Sequence, residues 1–207
     1  VNFSLFSRHA TAVTLLLYDA PVARSAPTEI RLDPRLHRTG DVWHCHIRGL
    51  EAGALYLYRV DGPYLPEKGF RFNPYKVLID PYARALTDLS DWDIVAAKGF
   101  NPNLPGEDLS FSTEDDGAKH PKCVVVDDRF DWRGDRPLNY PLRFSVLYET
   151  HVRGLTAHPS SGVAHPGTYR GVIEKIPYLK DLGVTSLEFL PGQEFSEREL
   201  DRKSGGE

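Results

Sequence analysis

The sequence predicts a mainly β protein that opens with a β-sandwich and closes on one β-α-β unit. Three observations predict it. Short apolar or alternating runs recur at roughly 8–12-residue spacing near the start of the chain, each stopped by a turn cluster. Glycine and proline, at 17 and 16 of 207 residues, punctuate many short elements. From residue 144 the pattern changes to strand, helix, strand, which implies parallel pairing.

The elements follow in order. Residues 12–18 form a compact apolar run ending at Asp19-Ala20-Pro21, too short for a helix. Glu29-Ile30-Arg31-Leu32 alternates and stops at Asp33-Pro34. Val42-Trp43-His44-Cys45-His46-Ile47 follows the turn Thr39-Gly40-Asp41. Residues 54–60 form the next strand, with Leu55, Leu57 and Arg59 on one face and Tyr56, Tyr58 and Val60 on the other. Residues 63–142 read as irregular and proline-rich, broken by one strand-like run at 123–126. Residues 144–152 read as a largely buried strand. A helix is expected over 171–182, from apolar positions 172, 173, 176, 179 and 182. Thr168 would cap it, Gly183 would stop it, and Pro177 should kink or restart it. Residues 184–190 read as a second buried strand, and the tail from Phe195 is charged.

Composition excludes several classes. Lys and Arg total 25 and Asp and Glu 29, so the net charge of −4 offers nothing to a nucleic acid. Hydrophobic residues at 41% suffice for a core. No apolar run approaches the about 18 residues of a membrane span, and the start lacks the basic residues of a signal peptide. Cys45 and Cys123 make no close pair, which excludes a disulfide scaffold and a cysteine-only zinc cage and indicates reduced thiols of a cytoplasmic protein. The absence of methionine, even at position 1, suggests a piece of a longer reading frame.

Several long motifs carry a resemblance. Tyr58-Arg59-Val60-Asp61-Gly62-Pro63-Tyr64, Gly69-Phe70-Arg71-Phe72-Asn73-Pro74-Tyr75-Lys76 and Leu78-Ile79-Asp80-Pro81-Tyr82-Ala83-Arg84-Ala85 resemble the isoamylase and glycogen-debranching branch of the α-amylase superfamily. Tyr148-Glu149-Thr150-His151-Val152-Arg153-Gly154 is similar to the first barrel strand of those enzymes, and Leu182 to Pro191 to the end of the first helix and the second strand. The resemblance implies an immunoglobulin-like sandwich of the carbohydrate-binding family 48 type over 1–85, an irregular link over 86–142, and a truncated start of a (β/α)₈ barrel over 143–207. It implies descent from enzymes that hydrolyse α-1,6 branch bonds of glycogen, amylopectin or limit dextrin, with retention and without a cofactor. Gly192 departs from the apolar residue usual after the strand-ending proline.

The catalytic carboxylates of that superfamily follow later barrel strands, so no residue here is assigned a catalytic role and the chain is expected to be inactive alone. The alternative is a free-standing α-glucan-binding module. Glucose rings stack on aromatic faces, which makes Trp43 and Tyr64 candidate glucan contacts, with Tyr56 and Tyr58 behind them. His151 and Arg153, at the end of the first barrel-like strand, are candidates for the rim of a complete active site. Glu149 and Glu188 lie mid-strand on neighbouring elements and read as structural, and Glu194 is a lone carboxylate. His44 and His46 share a strand face, but no further ligands follow at metal-binding spacing. Ser160-Ser161-Gly162 lacks the frame of a nucleophile elbow.

Overall fold

The computed structural model describes residues 1–89 and 92–192; Glu194 and the tail from Phe195 lie outside the described residues. The chain is mainly β and divides into two compact units, Val1–Arg129 and Phe130–Glu207.

The first unit holds ten strands: β1 (Asn2–Phe6), β2 (Ala12–Tyr18), β3 (Thr28–Arg31), β4 (Arg38–Thr39), β5 (Val42–His46), β6 (Leu55–Asp61), β7 (Tyr64–Leu65), β8 (Phe70–Arg71), β9 (Val77–Leu78) and β10 (Cys123–Val124). One sheet has the order β1-β5-β4, and a second has β10-β6-β2-β3 with β9 also paired to β6. All these pairings are antiparallel. The core draws Phe3, Trp43 and Cys45 from the first sheet and Val13, Leu15, Tyr56, Tyr58 and Val60 from the second. The alternation read from residues 54–60 is therefore the observed one. Phe3 and Tyr56 meet edge to face, with ring centroids 4.9 Å apart.

The second sheet is also buried on its other face, which the alternation did not anticipate. Leu16 and Leu57 are register partners there, and both are fully buried. Segment 112–122 contributes groups to this layer. The Lys122 ammonium lies 4.7 Å from the Tyr18 ring centroid and donates to the carbonyls of Gly117, Ala118 and His120. Asp116 Oδ1 accepts from the Val77 amide at 2.9 Å. Segment 86–129 thus belongs to the first compact unit.

The second unit contains β11 (Leu147–Thr150), α1 (Val152–Thr156), α2 (Tyr169–Asp181) and β12 (Ser186–Phe189). β11 and β12 pair in parallel across α2, as the strand-helix-strand reading expects. Thr168 Oγ1 accepts from the Gly171 amide at 3.2 Å, which caps the helix. At its end the Gly183 amide donates to the Lys180 carbonyl and the Val184 amide to the Leu179 carbonyl, both at 3.0 Å. With Gly183 at φ 89°, that is a Schellman stop.

Three expectations need correction. Pro177 does not restart the helix, which is continuous through it; Ile173, Ile176, Pro177 and Tyr178 are all exposed, so the carbonyl left without a proline donor faces water. The strand expected over 144–152 shortens to four residues, because Leu142–Phe144 form a 3₁₀ turn and His151 is already the N-cap of α1. Neither strand of the pair is buried: Leu147 is 58% exposed and Phe189 39%. Two strands and one helix cannot cover both faces of a parallel sheet.

Candidate functional site

A cavity of about 440 Å³ lies in the first unit, beside the sandwich. Local sequence explains its floor. Pro66–Lys68 form a 3₁₀ turn closed by Gly69 at φ 82°, a left-handed conformation that favours glycine. This turn folds β7 back on β8 and makes Tyr64 and Arg71 register partners. Val77 and Leu78 of β9 line it together with Ala97, Gly99 and Phe100.

The polar groups of the cavity are held firmly. The Tyr64 hydroxyl donates to the Ser110 carbonyl, and its ring meets Phe111 edge to face at 4.8 Å. The Arg71 guanidinium donates to the Asp108 carbonyl and, at 3.3 Å, to its carboxylate. Asn73 donates to the carbonyls of Gly99 and Ser112, and the buried Lys76 ammonium to those of Ala96 and Glu114. These bonds tie the 96–114 segment to β8 and β9. Burial raises the Asp116 carboxyl above its ordinary range, while the Val77 amide and the charges of His120 and Lys76 pull it back.

The residues singled out from sequence fare differently. Tyr64 lines the cavity and is half-buried. Trp43 is corrected: it is 1% exposed, with its indole N–H donating to the Ser7 carbonyl and Arg38 5.1 Å from the ring centroid, so no ring face is open to a sugar. Tyr56 and Tyr58 are likewise core. His151 Nδ1 accepts from the amides of Arg153 and Gly154, capping α1 at the end of β11, and Arg153 is exposed. Tyr64 is not brought together with His151 or Arg153 within either unit. His44 bonds Thr39 at 2.9 Å, and no group of three metal-ligating side chains occurs among the described residues. Sequence reasoning missed Arg71, Asp108 and Phe100. Arg71 lay inside a quoted motif, but its pairing with Asp108 spans 37 residues and has no local signal.

The sandwich and this cavity can be compared with known proteins. The model of carbohydrate-binding module 48, the isoamylase N-terminal domain, matches residues 1–83. The module-48 match ends just past β9, so Tyr64, Arg71 and Leu78 come from the module and Ala97, Phe100 and Asp108 from the chain that follows it. Over 196 residues the chain is 44% identical to a glycogen debranching enzyme of Yersinia enterocolitica, covering 93% of this chain and 28% of that protein. It is 41% identical over 203 residues to isoamylase 1, chloroplastic, of Oryza sativa subsp. japonica, covering 96% and 23%. The resemblance read from the motifs is thus shown, and the chain spans about a quarter of the length of these relatives. Among solved structures, a pullulanase from Bacillus acidopullulyticus matches 95% of this chain and 21% of its own, with TM-score 0.64 and 23% identity. That likeness supports the fold. No helix among the described residues is long and apolar enough to cross a membrane.

Proposed function

We propose that this chain is the N-terminal part of a cytoplasmic debranching glycosidase that hydrolyses α-1,6-glucosidic bonds of glycogen, amylopectin or a limit dextrin. The observation that carries the reading is the 44% identity to a glycogen debranching enzyme, sustained over 196 residues and beyond the module-48 domain. In this reading residues 1–85 are the sandwich, 86–142 the link, of which 86–129 packs with the sandwich as one compact unit, and 143–207 the first strands of a (β/α)₈ barrel. Free, buried thiols at Cys45 and Cys123 support a reducing compartment.

Retaining hydrolysis needs two carboxyl groups about 5–5.5 Å apart on opposite sides of the scissile bond. Among the described residues the paired strands β11 and β12 bring together Glu149 and Glu188 as neighbours on one sheet face, which is not an opposed acid-nucleophile pair. His151 and Arg153 follow the C-terminal end of β11, the end at which barrel enzymes gather their chemistry, and in this reading they line the substrate rim. The purified chain, incubated with branched limit dextrin, releases no reducing sugar above blank. Joined to the polypeptide encoded downstream in its gene, it does. Turnover by the chain alone, or a downstream sequence without acidic residues at successive strand ends, overturns the reading.

A further inference from the structure

We propose that the cavity between β7–β9 and segment 97–108 is a subsite for one glucosyl unit of an α-glucan, gripped by Arg71 and Asp108 and backed by Phe100 and Leu78. The choice of α-glucan rests on the function proposed above; the location and the class of ligand come from the cavity.

The first support is size. At about 440 Å³ the cavity falls within the roughly 300–1,000 Å³ typical of small-molecule sites. The second is charge. The Arg71 guanidinium is paired with the Asp108 carboxylate at 3.3 Å, and the Lys76 ammonium is spent on the carbonyls of Ala96 and Glu114, so neither cation of the lining is left to select an anion and the site suits a neutral ligand. The third is unused hydrogen-bonding capacity. A guanidinium has five N–H donors, and Arg71 spends two of them on Asp108. Asp108 Oδ1 has no partner among the described residues, and the Arg71 and Asp108 side chains are 43% and 65% exposed. A donor fork beside a free carboxylate oxygen matches neighbouring hydroxyls of a sugar, one accepting and one donating.

The fourth is the wall. Leu78 is 48% exposed although it sits in a strand paired to the sandwich, and Phe100 is half-buried. Apolar side chains and a polar fork lining one cavity fit a pyranose ring, which has C–H faces and a hydroxyl rim. The walls are also preorganised. Asn73 and Lys76 pin segment 96–114 through four bonds to backbone carbonyls, so little ordering remains on binding.

The test is a titration of the full chain with maltoheptaose, followed by backbone amide shifts, with cello-oligosaccharide of equal length as the β-linked control. Asp108→Ala changes an exposed carboxylate and leaves the fold intact; Ala97→Trp fills the cavity. Supporting results are α-selective shifts at Tyr64, Gly99 and Phe100 and about tenfold weaker binding in Asp108→Ala, the loss expected for one charge-assisted hydrogen bond. Maltoheptaose binding that shifts other amides and is unchanged in both variants overturns the subsite and leaves the glucan reading standing. Equal binding of both oligosaccharides overturns the α-glucan assignment. No binding at millimolar sugar overturns the subsite and removes glucan binding from the reading.

Discussion

Glu149 and Glu188 are register partners in the parallel pair of β11 and β12. Neighbouring strands lie about 4.8 Å apart, so the two carboxylates stand side by side on one sheet face, and both residues are exposed. Glycoside hydrolysis needs acids on opposite sides of a bond, and adjacent acids on one face do not flank one. Their juxtaposition instead costs stability, because like charges directly opposite repel. Glu188→Gln is expected to raise the urea midpoint, by a few tenths of a kcal/mol given that solvent screens the pair. An unchanged or lower midpoint refutes the repulsion.

Trp43→Ala should destabilise the first unit by about 3–5 kcal/mol, the range for deleting a buried large aromatic. The indole is 1% exposed and anchored to Ser7. Thermal melts read the loss, and a melting temperature within a degree or two of the parent would place the ring at the surface instead.

Gly171 lies in the first turn of α2, where alanine is ordinarily the better helix former. A Cβ there would come 2.3 Å from the His165 carbonyl oxygen and 2.9 Å from Thr156 Oγ1. Gly171→Ala is therefore expected to destabilise the unit by about 1–3 kcal/mol, the cost of overpacking a closed site. Stabilisation in a denaturant titration would show that the 157–168 loop moves freely aside.

Tyr58 is 1% exposed and its hydroxyl has no partner among the described residues. Burial pushes this phenol well above its ordinary value of 10, and burial with the nearby Asp80 does the same to Tyr56. Above pH 10 the unfolded chain loses these protons while the native chain keeps them, so stability falls as pH rises. Burial also raises the Cys123 thiol to about 11, so the fall starts near pH 9. Lys122, drawn down by burial to about 8, opposes it, but one lysine is outweighed by two thiols, Cys45 being raised by burial as well, and three phenols, Tyr18 being pushed up to about 12. Tyr58→Phe should flatten the loss above pH 10 and leave stability at pH 7 equal or higher, since it removes an unpaired buried hydroxyl. An identical alkaline profile in the variant would remove Tyr58 from this account.

At the acid end, burial holds the His120 imidazole below its ordinary 6.5, with the Pro121 carbonyl and Asp116 acting against that shift. Below pH 6.5 the unfolded chain takes up a proton that native His120 resists, so stability drops on acidification. His120→Asn should lessen the drop between pH 6.5 and 5; a drop of unchanged size assigns it to other groups.

Much of this architecture is legible in single segments. The alternation of residues 54–60, the Thr168 cap and the Gly183 stop are set by chain neighbours within about one helical turn or one strand pleat. The observed faces of β6 and ends of α2 follow them. The same local logic goes astray at Pro177, because the cost of a missing donor depends on whether water reaches the freed carbonyl, and at residues 144–152, where apolar sequence does not bring burial.

The candidate site was half legible. Tyr64 is one of the aromatic faces of the sandwich region singled out as a glucan contact, and it lines the cavity. Trp43 stood out for the same reason and is core. β1, paired to β5 more than thirty residues away in the chain, and the second sheet bury Trp43 fully, whereas Tyr64, packed edge to face on Phe111, stays half-buried.

The sequence by itself determined the strand and helix grammar and the family resemblance. Tertiary structure alone decided which aromatic stays accessible, that Arg71 meets Asp108, and that Gly171 has no room for a methyl group. The physical reason is range: propensities, caps and pleats act between chain neighbours, whereas exposure and side-chain pairing are set by segments brought together only when the core closes.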